Sequence, residues 1–237
     1  MSLPRIASDL KRAVDQLAFA QPVAYVYNPL DYAWQSHRQY LAFAKPGVDA
    51  LLVGMNPGPW GMAQTGVPFG EVQLVRDWMG IECAVGKPAS EHPKRPVTGF
   101  DCHRSEVSGQ RLWGWARERF RTPDRFFARF YVHNYCPLLF LEEGGRNRTP
   151  DKLRPEERTA LTEACDRALR RTMDFLEPRF VIGVGGYAEQ RIRGVVDGAD
   201  VAVGAILHPS PASPMANRGW VKQAEKQLRE IGVSLRG

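Results

Sequence analysis

A three-layer α/β/α sandwich around a central four-stranded parallel sheet is the fold class this sequence predicts, and three observations predict it. Four short apolar runs, 51–53, 130–137, 180–184 and 201–207, are each bounded by Gly, Pro or polar residues. Stretches with helical periodicity separate them, the pattern of β-α-β units with helices on both faces of a parallel sheet. At 237 residues, 43% of them hydrophobic, the chain can bury a full core as one domain, 1–237, and no linker signal divides it.

Residues 6–19 place Ile6, Leu10, Ala13, Val14 and Leu17 three and four apart, as an amphipathic helix does. The stretch 25–29 is expected to break that helix, and 32–43 to form a second. Leu51–Val53 reads as a buried strand that stops in a loop of glycines and prolines, 54–69, too constrained to drift. Residues 70–79 follow as a helix, and 80–103 as a surface excursion rich in Gly, Pro and charge. In 110–120 the aromatic residues Trp113, Trp115 and Phe120 recur with Leu112 at helical spacing, which assigns them to the core.

The second strand, FYVHNYCP (130–137), ends on a polar residue and a proline. A charged loop over 142–158 leads into a long helix, 155–176. The third strand, 180–184, ends in Gly185 and Gly186, and the fourth, 201–207, runs straight into His208-Pro209-Ser210-Pro211. In a parallel sheet all four strand ends lie on one edge. Asn56, Asn134, Gly185 and His208 are therefore predicted to converge there, where open α/β sheets bind their ligands.

The net charge is +6 and the pI about 9.3, with arginine far outnumbering lysine, a balance that favours a polyanionic partner. Cys83, Cys102, Cys136 and Cys165 are widely spaced, with no CxxC pair and no histidine at ligand spacing, so no metal or cofactor is implied. No segment approaches about twenty apolar residues, and the default expectation is a soluble, intracellular protein without a membrane span. Gly183–Gly186 does not complete a GxGxxG, and no GK[ST] follows the first loop, which excludes the usual nucleotide-cofactor motifs. Arg146, Arg148, Arg154 and Arg158 read equally as a phosphate-binding run or a solvated loop.

GMNPGPWGMAQTGVPFG (54–70), VHNYCPLLF (132–140), VIGVGGYAEQ (181–190) and HPSPASPMANRGW (208–220), in that order, resemble the motifs of the single-strand-selective monofunctional uracil-DNA glycosylases. These form a branch of the uracil-DNA glycosylase superfamily, and the likeness spans about Tyr40 to Trp220. It implies a base-flipping hydrolase that removes uracil, 5-hydroxymethyluracil and related oxidised pyrimidines from single- and double-stranded DNA and leaves an abasic site. It implies a monomer whose partner is DNA containing uracil or damaged pyrimidines, cytoplasmic in a bacterium or nuclear in a eukaryote.

The resemblance also assigns roles. Asn56 positions the attacking water, which suits a dissociative reaction because an amide is no base. His208 donates to uracil O2 as charge develops on the leaving base. Phe69 stacks on the base, although its apolar surroundings also suit a core residue, and Asn134 pairs with the base's O4 and N3–H. Backbone amides around Met55 and Phe69 complete the contacts, and Gly58 and Met62 lie at the C5 edge.

Pro209, Ser210, Pro211, Ala212, Ser213 and Met215 belong to a wedge for the duplex, with Ala212 where vertebrate-like members carry a basic residue and Met215 as the bulky candidate. Trp60 stands where another aromatic is frequent. His133 should point away from Asn134 on a regular strand, outside the pocket. No lysine occupies a matched catalytic position, so Schiff-base strand cleavage is not expected. Two alternatives stay open: a mismatch-directed or deaminated-purine glycosylase (xanthine, hypoxanthine) on the same fold, and a non-catalytic sensor of damaged DNA.

Overall fold

The computed structural model describes residues 2–196 and 201–235. Helix α1 (Leu3–Asp15) opens the chain and buries Leu3, Ile6, Ala7, Leu10 and Val14. Its apolar stripe packs on the long helix near the middle of the chain. Strand β1 (Val23–Tyr27) follows, then short helices α2 (Pro29–Tyr32) and α3 (Trp34–Leu41), and strand β2 (Ala50–Gly54) with all five residues buried. After β2 come α4 (Met62–Thr65), α5 (Val107–Phe120) and α6 (Pro123–Phe127). Strands β3 (Phe130–Asn134), β4 (Leu139–Glu142) and β5 (Asn147–Arg148) lead to α7 (Pro155–Leu176). The chain closes with β6 (Phe180–Val184), α8 (Gly186–Val195), β7 (Ala202–Ile206), α9 (Pro214–Asn217) and α10 (Trp220–Ile231).

The central sheet is parallel, in the order β3-β2-β6-β7, with helices against it, as the sequence predicts. Register is what makes the site: Gly54 pairs with Asn134 and Gly183 with Val53, so the strands end level with one another.

Three local expectations are corrected. The stretch 25–29 is no mere helix breaker, because VAYVY carries β-branched and aromatic residues and forms β1, antiparallel to β4. With β5 these make a second, three-stranded sheet, so the described residues hold seven strands rather than four. The 70–79 segment is helical over 72–78, a shorter span than expected and mostly a wide turn at Leu74–Trp78, where Met79 N–H reaches the Leu74 carbonyl at 3.1 Å. The first helix ends at Asp15 rather than Phe19.

Arg146 is exposed, but three of the four arginines of the 146–158 run bond within the protein: Arg148 to Glu142 at 2.9 Å, Arg154 to the Gln21 carbonyl and Arg158 to the Asp151 carbonyl. Among the described residues no helix is long and apolar enough to cross a membrane.

Candidate active site

A cavity of about 320 Å³ opens at the C-terminal edge of the parallel sheet. Met55, Asn56, Gly58, Met62, Phe69, Asn134 and His208 all line it, joined by Ser210 and Pro211 from the loop after β7. Thus every predicted base-contacting residue is brought to one pocket. Gly185 stands behind His208, where an added Cβ would come within 3.3 Å of the His208 Cβ. His133 is not among the residues lining this cavity; it lines a separate, mostly apolar void of about 30 Å³ beneath α1 that shares Met62 and Asn134 with it as a wall.

Asn56 is held by its donor end. Its Nδ2 donates to the Leu138 carbonyl at 3.1 Å, so Oδ1 is the polar atom left to accept a hydrogen bond from a water. An acceptor of this kind orients a nucleophile without deprotonating it.

Asn134, at 5% exposure, donates from Nδ2 to the Met62 sulfur at 3.2 Å. One N–H and the carbonyl oxygen of this amide are thereby left for a ligand, the donor and acceptor pair that matches O4 and N3–H of uracil. Phe69 adopts φ +54, a left-handed backbone rarely found for a bulky residue. Its surroundings over-determine that conformation. Trp113 Nε1 donates to the Pro68 carbonyl at 3.0 Å, and the Phe69 carbonyl packs so closely on Gly109 that a Cβ there would lie 1.8 Å away. The Phe69 ring centroid sits 5.9 Å from that of His208.

Gly54 makes the approach of these groups possible. A Cβ at this strand end would lie 2.5 Å from Phe69 Cε2 and 2.6 Å from Asn134 Oδ1. Only a hydrogen fits between ring and amide.

His208 is neutral, because burial pulls its pKa down to about 4. Ser210 N–H donates to its Nδ1 at 3.1 Å, which places the proton on Nε2 and makes that atom a donor. The preceding residue is fixed at both ends, with Leu207 N–H bonded to Gln227 and its carbonyl accepting from Trp220 Nε1 at 2.6 Å.

The loop that carries the wedge residues is cross-braced. Arg111 donates to the carbonyl of buried Pro209 at 3.0 Å and to Asn217 Oδ1 at 2.7 Å, while Asn217 Nδ2 holds the Pro211 carbonyl. Ala212 N–H bonds Ser210 Oγ, and Ser213 caps α9 through Ala216 N–H. Ala212 is exposed, and Met215 projects at 56% exposure, the exposed large hydrophobic side chain among the described residues.

Sequence reasoning missed Glu106, Ser108, Asn147 and Thr149, which also line the cavity. The Glu106 carboxylate caps α5 by accepting from the Ser108 and Gly109 N–H groups, and burial pushes its pKa up. Asn147 Oδ1 is a buried acceptor with no protein partner. Glu106 stands just before a helix, a position that signals a cap, whereas Asn147 lies in a charged loop with no pattern to single it out.

Pocket, sheet edge and loops together define the class. A family model described as the uracil DNA glycosylase superfamily matches residues 41–229, and the chain belongs to that superfamily. Among curated relatives it is 51% identical over 227 residues to the single-strand selective monofunctional uracil-DNA glycosylase of Rattus norvegicus, covering 94% of this chain and 82% of the relative. It is 50% identical to the proteins of that description from Mus musculus and Bos taurus, covering 94% and 92% of this chain and 81% of each relative. A crystal structure of SMUG2 from Pedobacter heparinus superposes with a TM-score of 0.66 over 96% of this chain and 97% of that one; at 17% identity it speaks for the fold alone.

Proposed function

We propose that this protein hydrolyses the N-glycosidic bond of uracil in DNA, releasing the base and leaving an abasic site. The observation that carries this reading is the meeting of Asn56, Phe69, Asn134 and His208 in one cavity, each held by contacts that leave a defined group for a ligand. The superfamily membership and the names of the relatives support the same reaction.

In this reading the uracil turns out of the stack and lies against Phe69. Asn134 donates to O4 and accepts from N3–H; cytosine presents the opposite pattern at those two positions and is refused. As the glycosidic bond lengthens, charge accumulates on O2, and the neutral imidazole stabilises it through Nε2–H. The sugar becomes an oxocarbenium-like cation, and a water on Asn56 Oδ1 needs only to be oriented to capture it. Gly58, with nothing within 4 Å of a Cβ position, leaves room at the C5 edge for the hydroxymethyl group of 5-hydroxymethyluracil.

In a duplex, the rigid 209–215 loop enters the gap with Ala212 and Met215 foremost. The protein acts as a single-domain intracellular monomer on DNA carrying uracil or oxidised pyrimidines.

The test is a labelled single-stranded oligonucleotide with one uracil, incubated with the protein, treated with alkali and run on a gel. Breakage at the uracil only after alkali is the expected result. Tight binding without breakage would leave the sensor reading standing, and breakage at xanthine or hypoxanthine alone would favour the purine-directed one.

A further inference from the structure

Beside the base cavity runs a broad groove of about 630 Å³. Its chemistry differs from the cavity's. Lys94, Arg95 and Arg104 line it with His103 against one carboxylate, Asp101, and its wall includes the half-buried indole of Trp60. The Arg104 guanidinium carbon lies 4.7 Å from the Trp60 ring centroid, and that of Arg95 lies 5.4 Å from it. One indole therefore steadies two guanidinium groups.

Among the described residues, no carboxylate is within ion-pair distance of Lys94, Arg95 or Arg104. Other arginines do have carboxylate partners, as Arg191 has Asp166 at 2.6 Å and Arg229 has Glu225 at 2.6 Å. Three cations left without counter-ions in one groove attract a polyanion.

The groove is also built to keep its shape. Gln64, fully buried, donates to the Pro59 carbonyl at 2.8 Å and the Pro96 carbonyl at 2.9 Å, and accepts from Thr98 N–H at 2.9 Å. It thereby ties the loop that carries Trp60 to the segment that carries Arg95. Tyr27 adds a bond from its hydroxyl to the Arg95 carbonyl at 2.8 Å. Pro59 and Gly61 face the base cavity while Trp60 between them faces the groove, so the two sites share a single wall.

We infer that this groove holds backbone phosphates of the lesion-bearing strand next to the flipped nucleotide, with Arg95 and Arg104 as the phosphate-binding pair and Trp60 as their positioning residue. The inference rests on the proposed DNA substrate. Guanidinium forks match phosphate oxygens, and holding them on an indole lowers the entropy lost when they bind. Because it grips one strand, the groove serves an unpaired substrate as well as a duplex.

The test measures binding of a single-stranded oligonucleotide whose uracil nucleotide carries a 2′-fluorine, which resists cleavage, across a salt titration. Proteins compared are the wild type, Arg95→Gln/Arg104→Gln, and Trp60→Leu. Losing two phosphate contacts should flatten the log K against log salt slope by about 1.4. Between about 50 and 200 mM salt the wild type would then lose roughly sevenfold more affinity than the double variant. Trp60→Leu, which keeps both charges, should weaken binding less and retain most of the slope.

In single-turnover excision the enzyme concentration that gives half the maximal rate should rise for the double variant in step with its loss of affinity. An unchanged salt slope would overturn the inference, as would a slope flattened on duplex but not on single strands, which would seat the complementary strand here. Binding is read without turnover. Failure of the wild type to release uracil would therefore overturn the proposed activity separately from the groove.

Discussion

Gly54→Ala tests the pocket without deleting any group expected to touch the base. The new methyl would sit 2.5 Å from Phe69 Cε2 and 2.6 Å from Asn134 Oδ1, whereas ordinary contact begins at 3.4 Å. Ring and amide would each have to retreat by about 0.8–0.9 Å, away from the positions they hold in the wall of the cavity. A displacement near 1 Å in a positioning group costs about 10²-fold in rate, or about 2.7 kcal/mol of barrier. Overpacking of this size also costs about 1–3 kcal/mol of stability, and at about 2–4 °C per kcal/mol for a chain of this length that lowers Tm by several degrees. The assay is single-turnover release of uracil at saturating enzyme, well below the variant's Tm, beside its affinity for undamaged DNA. The expected outcome is a rate near one hundredth of wild type with affinity for undamaged DNA retained. A folded variant with the wild-type rate would refute the claim that Phe69 and Asn134 must occupy these positions for excision.

Gly58→Ala is the counterpart, with no atom within 4 Å of its Cβ; the fold should be undisturbed, and 5-hydroxymethyluracil excision should fall further than uracil excision in a competition between the two bases. Asn56→Ala should bind the uncleavable oligonucleotide with near wild-type affinity and lose about 10²-fold or more in single-turnover rate; unimpaired turnover would remove Asn56 from the reaction. His208→Ala should lose about 10²–10³-fold, and the wild-type rate should stay flat from pH 8 to about 5.5, because a histidine with a pKa of about 4 is already neutral there. An inflection near pH 6.5 that vanishes in His208→Ala would contradict the neutral donor. Burial also holds His37 and His133 to pKa values of about 4, below the usual 6.5. The unfolded chain takes up those protons first, so stability complete above about pH 6.5 should drain as pH falls toward 4, by about 2 kcal/mol per histidine at pH 5. Equal urea midpoints at pH 7 and 5 would refute it.

The parallel sheet was legible because its strands read as unbroken apolar runs, β2 being buried on both faces; 180–184 and the helix 155–176 carry the boundaries the sequence predicts. The second sheet was hidden by its pairing. Strand β4 follows Pro137 within the same motif as β3, so one apolar stretch was read where the chain makes two strands that serve different sheets. At the site, motif order was enough to gather residues from four loops. It was not enough to find Glu106, whose helix starts at Val107 rather than at Gln110, because residues 107–109 are small or β-branched and show no helical stripe. Nor does any sequence pattern announce that Arg111 braces a loop some hundred positions away, a relation made only by the fold.

Acid-base strength is in short supply in this pocket. Asn56 has no basicity, His208 is neutral, and Glu106, although burial raises its pKa, has each carboxylate oxygen engaged by a backbone N–H of α5. A reaction that required a strong base to create hydroxide would be poorly served by such a set. One whose leaving group departs first needs a fixed donor at O2, a fixed acceptor for water and a ring surface that holds the base in line, the roles proposed for His208, Asn56 and Phe69. Protonating His208 would break the Ser210 N–H bond to Nδ1 that orients it, so a stronger acid here would be a worse-placed one. Rigidity takes the place of reactivity, which is why the strained Phe69 backbone and the glycine beneath it belong to the chemistry as much as to the fold.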